Sequence, residues 1–240
     1  MASSAENPQP IVLPELVQTE FELAAADLFV QTGEQGLTHS QLVLEGEEDA
    51  FTHSYKDGVL HVKENMQSGT IFEFGTQGSR FYASVPRSVN TIRIVGGSVR
   101  INGVEVTGDG VSVGNTAPRR ASLLLPAGIS VSHDIDTMSG DIELAALNAR
   151  VVYVASKSGS ILVRNTEAGD INLKTMSGAI DLEAVRSSAT VRAESMSGSI
   201  AVSQSVAPSW RLKTMSGNVT ARSTEGRVDA STMSGRTRIS

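Results

Sequence analysis

The chain has 240 residues, 40% of them hydrophobic, no cysteine and a net charge of −6. That length holds one or two domains, and the absence of cysteine fits either a reducing cytosol or a simple exported protein. The first fifty residues carry ten acids and no Lys or Arg, which argues against nucleic acid and against an anionic membrane surface as partner.

Residues 1–18, with Pro8, Pro10 and Pro14 among several Ser and Ala, read as a flexible leader. They show no basic n-region and no apolar h-region, and no later stretch reaches the length of a transmembrane span, so membrane insertion is not expected. As written, the chain is expected to be cytoplasmic, or a cell-surface protein if an export signal has been trimmed from it.

Residues 19–120 read as an irregular β part with an N-terminal cap. Candidate strands run over residues 21–23, 28–30, 42–44, 59–62, 71–74, 81–85, 92–94, 99–101, 104–106 and 111–113, with turns at Asn102-Gly103 and Gly108-Asp109-Gly110. All six Phe and two of the three Tyr lie before residue 90, so this part has a bulkier core than the rest. Glu45, Glu47, Glu48 and Asp49 suggest a divalent cation, but they lack the spacing of a calcium loop and read better as a solvated acidic turn. Gly69 before Ile71 resembles a degenerate form of the corner described next. One continuous solenoid with irregular early coils is therefore expected, with a hairpin-rich β sandwich over residues 20–115 as the alternative.

Residues 121–240 are dominated by a repeat. The quartet Thr-Met-Ser-Gly or a close variant ends at Gly140, Gly159, Gly178, Gly198, Gly217 and Gly235, with spacings of 19, 19, 20, 19 and 18. A period this short and regular marks a solenoid, in which one coil buries its apolar face only when the next stacks on it. Two positions after each glycine stand Ile142, Ile161, Ile180, Ile200, Val219 and Thr237, and two further on Leu144, Val163, Leu182, Val202, Ala221 and Ile239. This is the alternation of a strand with one face buried. A second apolar pair follows some ten residues after the first in each coil, from Val152 and Val154 to Val228 and Ala230. Helical periodicity is absent. Coils running the same way pair their strands in parallel, and crossover chirality favours a right-handed helix.

Glycine takes positive φ without penalty, which suits a bend repeated in every coil. The serines Ser139, Ser158, Ser177, Ser197, Ser216 and Ser234 are candidates to bond the backbone groups a tight bend leaves unpaired. Met138, Met176, Met196, Met215 and Met233 form a column interrupted by Lys157. It is read here as corner packing, with a docking stripe as the other reading. Outward positions of the second strand include Lys174, Glu194 and Lys213, alternating in sign as stacked neighbours should. Arg192 beside Arg211 is the poor pair and reads as solvated.

Chemistry is scarce. His133, Asp134, Asp136 and Asp141, near Arg119 and Arg120, make the densest polar cluster, a candidate for acid and base work on a sugar. Outward Asp and His on a coil are ordinary and these acids do not recur on adjacent coils, so the cluster is read as surface. No histidine has a metal-ligand spacing, and no nucleophile elbow, phosphate loop or dinucleotide fingerprint occurs. No catalytic, cofactor-binding or metal residue is therefore assigned, and no cofactor is expected. The last coil ends at Ser240 without a visible capping segment, an arrangement expected to favour weak self-association through exposed strand edges, with Arg236 and Arg238 as charges that blunt it.

The segments Thr-Met-Ser-Gly-Asp-Ile-Glu-Leu (137–144), Thr-Met-Ser-Gly-Ala-Ile-Asp-Leu (175–182) and Ser-Met-Ser-Gly-Ser-Ile-Ala-Val (195–202) resemble the bacterial β-strand-repeat family labelled putative adhesins, a domain of unknown function. Asp57-Gly58-Val59-Leu60-His61-Val62 and Leu125-Pro126-Ala127-Gly128 match that family's early strand and its lead into the repeats. The resemblance implies a parallel β-helix over most of residues 20–240 and carries no catalytic residue across. The expectation is an all-β, single-chain parallel β-helix of about 19 residues per regular coil, acting as a noncatalytic scaffold or adhesin-like module for a protein or glycan partner. A carbohydrate-active β-helix enzyme is the alternative.

Overall fold

The computed structural model describes residues 8–33, 36–46, 49–65 and 119–240 with their side chains, and the backbone of five strands between residues 70 and 106. Contacts divide the chain into two compact units, Met1–Asn65 with Pro118–Ser240, and Met66–Ala117. In the first unit the early strands are β1 (Ile11–Leu13), β2 (Gln18–Leu23), β3 (Asp27–Thr32), β4 (Ser40–Glu45), β5 (Phe51–Lys56) and β6 (Val59–Glu64). In the second unit β7 (Thr70–Thr76) and β8 (Ser79–Val85) form an antiparallel hairpin, and β9 (Ile92–Val95), β10 (Ser98–Ile101) and β11 (Val104–Val106) an antiparallel meander. The expected strand at 111–113, both glycine turns and the corner at Gly69 lie outside the described residues.

The first unit resumes with β12 (Arg120–Leu125), β13 (Val131–Thr137), β14 (Ile142–Ala145), β15 (Asn148–Ser156), β16 (Ile161–Arg164), β17 (Glu167–Thr175) and β18 (Ile180–Glu183). It ends with β19 (Arg186–Ser187), β20 (Thr190–Ser195), β21 (Ile200–Ser203), β22 (Val206–Thr214), β23 (Val219–Arg222), β24 (Glu225–Thr232) and β25 (Thr237–Ile239). Two sheets face each other. Sheet A runs β1-β4-β12-β3-β14-β16-β18-β21-β23-β25, and sheet B contains β22-β20-β17-β15-β13-β2-β6-β5, with β24 continuing it beyond β22.

The repeat stacks in register. Ile142 pairs with Ile161, Ile161 with Ile180, Ile180 with Ile200, and Ile200 with Val219, all in parallel. Their buried side chains meet those of Val152, Val154, Ile171, Leu173, Val191, Trp210 and Leu212 from sheet B in one core. Trp210 is the largest fully buried side chain among the described residues and donates its indole N–H to the carbonyl of Glu225 at 2.9 Å, so its polar edge is satisfied inside the stack.

The corner works differently from the sequence reading. None of the repeat glycines has positive φ. A Cβ at Gly140 would overlap the carbonyl of Ala26, and at Gly159, Gly178, Gly198, Gly217 and Gly235 the carbonyl of the corner residue one coil back. Glycine is required because two backbones touch, not because of its dihedral freedom. Of the predicted serines, Ser139 donates its hydroxyl to Ala24 O at 3.1 Å, but the hydroxyl that closes the bend from coil to coil belongs to the residue two before the serine. Thr175 Oγ1 accepts from Gly178 N at 3.0 Å and donates to Gly159 O at 3.3 Å, and Ser195 and Thr214 repeat both bonds one and two coils later.

A second corner was invisible in the sequence. Ala146, Asn165, Ala184, Gln204 and Ser223 occupy the same place after the sheet A strand of successive coils and all have φ between 49° and 55°. Each donates its backbone N–H to a carbonyl of the following coil, from Ala146 to Arg164 O at 3.0 Å up to Ser223 to Ser240 O at 2.9 Å. The ladder of backbone bonds thus continues round the bend, which holds these residues in a conformation costing roughly 1 kcal/mol each.

The early coils do not follow chain order. β3 pairs in parallel with β12 on one side and β14 on the other, and β2 lies between β6 and β13. Residues 18–32 are therefore a rung inserted between one formed by β6 and β12 and the first rung of the regular repeat. Antiparallel β4 and β5 close the two sheets at this end, and β1 covers β4. β1 lies within the stretch expected to be a flexible leader, and Leu13 and Leu16 are buried.

Candidate functional site

The polar cluster singled out in the sequence is pulled apart by the strand that carries it. On β13, His133 points into the core and is 1% exposed, whereas Asp134 and Asp136 point outward. His133 Nδ1 meets Thr19 Oγ1 at 2.8 Å, and Nε2 has no partner. Burial pushes its pKa down from 6.5 to about 4, so at neutral pH it is an uncharged core residue. Asp141 sits at the corner, where its carboxylate accepts from Ser160 N at 2.8 Å. Arg119 turns to Glu64 at 2.9 Å, and Arg120 lies over the ring of Phe29, 4.8 Å from its centroid. No acid and base converge in this group.

Outside sheet B the early rungs are acidic. Glu20 stacks on Asp134 and Glu22 on Asp136. Burial, then the charges of Asp136 and Glu20, push the Asp134 carboxyl above its ordinary value. His61 and Lys63 on β6 answer this row, at 2.7 Å from Glu20 and 2.6 Å from Glu22. The hydrogen bond from Lys63, then its charge, holds the Glu22 carboxyl below the ordinary range.

Further along the same face, Lys174 pairs with Glu194 and Glu194 with Lys213, as the alternation of sign predicted. Arg192 stands beside Arg211 and leans toward Asp170, 3.9 Å away. Lys174, Glu194 and Lys213 border an open groove of about 420 Å³ that Met196 and Met215 also line. The methionine column is therefore surface, contrary to the corner-packing expectation: Met138, Met176, Met196 and Met215 are 38% to 48% exposed and Met233 is 79% exposed. The bend is filled by the Thr and Ser hydroxyls that precede each methionine, leaving the thioether outside.

The charged residue that matters most to the architecture went unpredicted. Glu64 ends β6, where the chain departs for residues 66–117, and its side chain is fully buried. One carboxylate oxygen accepts from the amides of Ala24, Ala25 and Ala26, each at 2.8 Å, and the other from Arg119 Nη1 at 2.9 Å. Burial raises its pKa, but the three amides and Arg119 outweigh that and hold it below 4.5. Arg119 also reaches Asn65 O at 3.3 Å, so the residues flanking the departure and return of the chain are tied together. Nothing local signals this, because the partners are about 40 and 55 residues apart.

Among the described residues, no helix is long and apolar enough to cross a membrane. No cluster of three His, Asp or Glu that could hold a metal occurs among them either.

The fold and its open faces define a β-solenoid repeat domain. The chain belongs to the Toastrack family, DUF4097, whose model matches residues 20–240. This establishes the family resemblance seen in the Ser-Gly-Asp-Ile repeats. Similar solved structures include a putative adhesin from Bacteroides fragilis, 14% identical with a TM-score of 0.45, covering 98% of this chain and 97% of that one. A putative cell adhesion protein from Clostridium sporogenes is 9% identical with a TM-score of 0.36 over 97% and 98% of the two chains. A putative lipid binding protein from Parabacteroides distasonis is 11% identical with a TM-score of 0.30 over 98% of each. No curated protein matches.

Proposed function

We propose that this chain is a noncatalytic binding scaffold whose outer sheet B face takes a protein or glycan partner. The observation that carries the reading is the in-register row Lys174, Glu194, Lys213 along the open groove beside Met196 and Met215. Parallel rungs hold these groups about 4.8 Å apart on a rigid backbone. A partner meeting them need not order a loop, so little of the interaction is spent on conformational entropy. The outward carboxylates offer no comparable support for glycoside chemistry, since Asp134 and Asp136 stand side by side on one strand with His133 turned away from them.

The test is a glycan array and a protein-capture screen run on the wild-type chain and on Lys174→Glu/Lys213→Glu. Both substitutions are at exposed positions and should leave the fold intact. A glycan or protein retained by the wild type and weakened at least tenfold in the double variant is the expected outcome. Polysaccharide cleavage by the wild type that Asp134→Asn/Asp136→Asn abolishes would instead establish the enzymatic reading.

A further inference from the structure

The methionine column offers a chemistry beyond docking. Met176, Met196 and Met215 occupy one place on three consecutive coils, each close to half exposed, and Met233 continues the column on the next. Their backbones are locked in register: Ser197 N donates to Met176 O at 2.9 Å, Ser216 N to Met196 O at 3.0 Å, and Met233 N to Met215 O at 3.2 Å. Adjacent rungs lie about 4.8 Å apart, and each thioether swings on three torsions. Two or three sulfurs can therefore converge on one ion without any backbone movement. Packing does not account for the column, because hydroxyls close the bend and the thioethers face water. Lys157 holds the equivalent place on the coil between Met138 and Met176, which confines the run of thioethers to Met176 onward.

We infer that Met176, Met196 and Met215, extended by Met233, form a binding site for a soft monovalent cation of the Cu(I) and Ag(I) class. Thioether sulfur is a neutral, soft donor that selects such ions over hard or borderline divalent ones. The neighbouring charges fit that selectivity. Lys174, Glu194 and Lys213 each stand two residues before a methionine of the column and sum to one positive charge. A cation held by charge alone gains nothing there, whereas donation from thioether sulfur can offset the same repulsion for a soft ion. The chain has no cysteine, so no thiol of its own competes.

The test uses the full chain and Ag(I), a redox-inert probe, followed by calorimetric titration and by ¹³C-methyl methionine NMR. Ag(I) should bind in the presence of excess Mg²⁺ and Zn²⁺ and shift the methyl signals of Met176, Met196 and Met215 while leaving that of Met138 in place. Met176→Leu/Met196→Leu/Met215→Leu conserves volume and apolar character, so it should keep the melting temperature and bind at least tenfold more weakly. The wild-type methyl shifts read the site without any substitution. Absence of Ag(I) binding, shifts confined to other methionines, or binding unchanged in the triple variant would overturn the inference. No docking partner is present in these experiments, so their failure leaves the binding-scaffold proposal standing, and the reverse holds too.

Discussion

The regular coils and the inserted N-terminal rung meet the same requirement by different means. At the glycine corners of the regular coils the serine amide finds a carbonyl one coil back, as when Ser177 N donates to Lys157 O at 3.0 Å and Ser197 N to Met176 O at 2.9 Å. At Ala24–Ala26 the chain beneath has left the stack, and the carboxylate of Glu64 stands in for those carbonyls. A repeating sequence is needed only where the neighbour repeats. Where it does not, one buried ion supplies the missing acceptors, and its desolvation is offset by three amides and a guanidinium.

The largest effect should come from breaking a corner where backbones touch. Gly178→Ala drives a methyl into the Gly159 carbonyl, and urea unfolding should show a loss of at least ~4 kcal/mol or no folded protein. Gly128 sharpens the contrast: its φ is +84° but nothing lies within 4 Å of an added Cβ, so Gly128→Ala should cost only about 1–2 kcal/mol. Equal losses would mean that the corner glycines serve dihedral freedom after all.

Glu64→Ala ranks next. It removes the shared acceptor of Arg119 and of three amides, of which that of Ala26 is on a buried residue, for an expected loss of about 2–4 kcal/mol, with hydrogen exchange at Ala24–Ala26 rising far more than at Ser177 or Ser197. Uniform exchange across both sets of corners would contradict the special role given to this carboxylate.

His133 makes the inserted rung acid-sensitive. Its folded pKa of about 4 lies below the ordinary 6.5, so the unfolded chain binds the extra proton. The associated stability is complete above pH 6.5 and is lost as the pH falls toward 4, about 3 kcal/mol in all. Denaturant midpoints measured across that window should fall more steeply with acid in the wild type than in His133→Val. The smallest effect belongs to the second corner: Ala184, at φ 52°, should accept glycine with a gain of up to about 1 kcal/mol, read as a slightly higher melting temperature.

Residues 131–240 were legible because their register is written in the sequence: Ile142, Ile161 and Ile180 recur at the period of the rungs they form. The place of residues 18–32 was not, since β3 pairs with β12 and β14 across roughly a hundred residues of chain, which no local pattern encodes. The positive-φ corner was hidden for another reason. It is held by bonds to the next coil and so tolerates Ala, Asn, Gln and Ser in place of glycine. The methionines were placed correctly along the chain but assigned to the wrong side of the bend, because spacing fixes which residue occupies a corner and not whether a hydroxyl has already filled it. His133 and Asp134 were read as one cluster although adjacent residues on a strand face opposite ways.

Cysteine pairing tests the inserted rung most directly, in a chain that has no cysteine of its own. Phe29 and Glu143 are Cα partners across β3 and β14, and mild oxidation of Phe29→Cys/Glu143→Cys should give a rapid intramolecular disulfide. Ser122 and Glu143 are separated by the β3 strand, so Ser122→Cys/Glu143→Cys should remain reduced. Bridging in the second pair and not in the first would show β12 lying directly on β14, with no N-terminal rung between them.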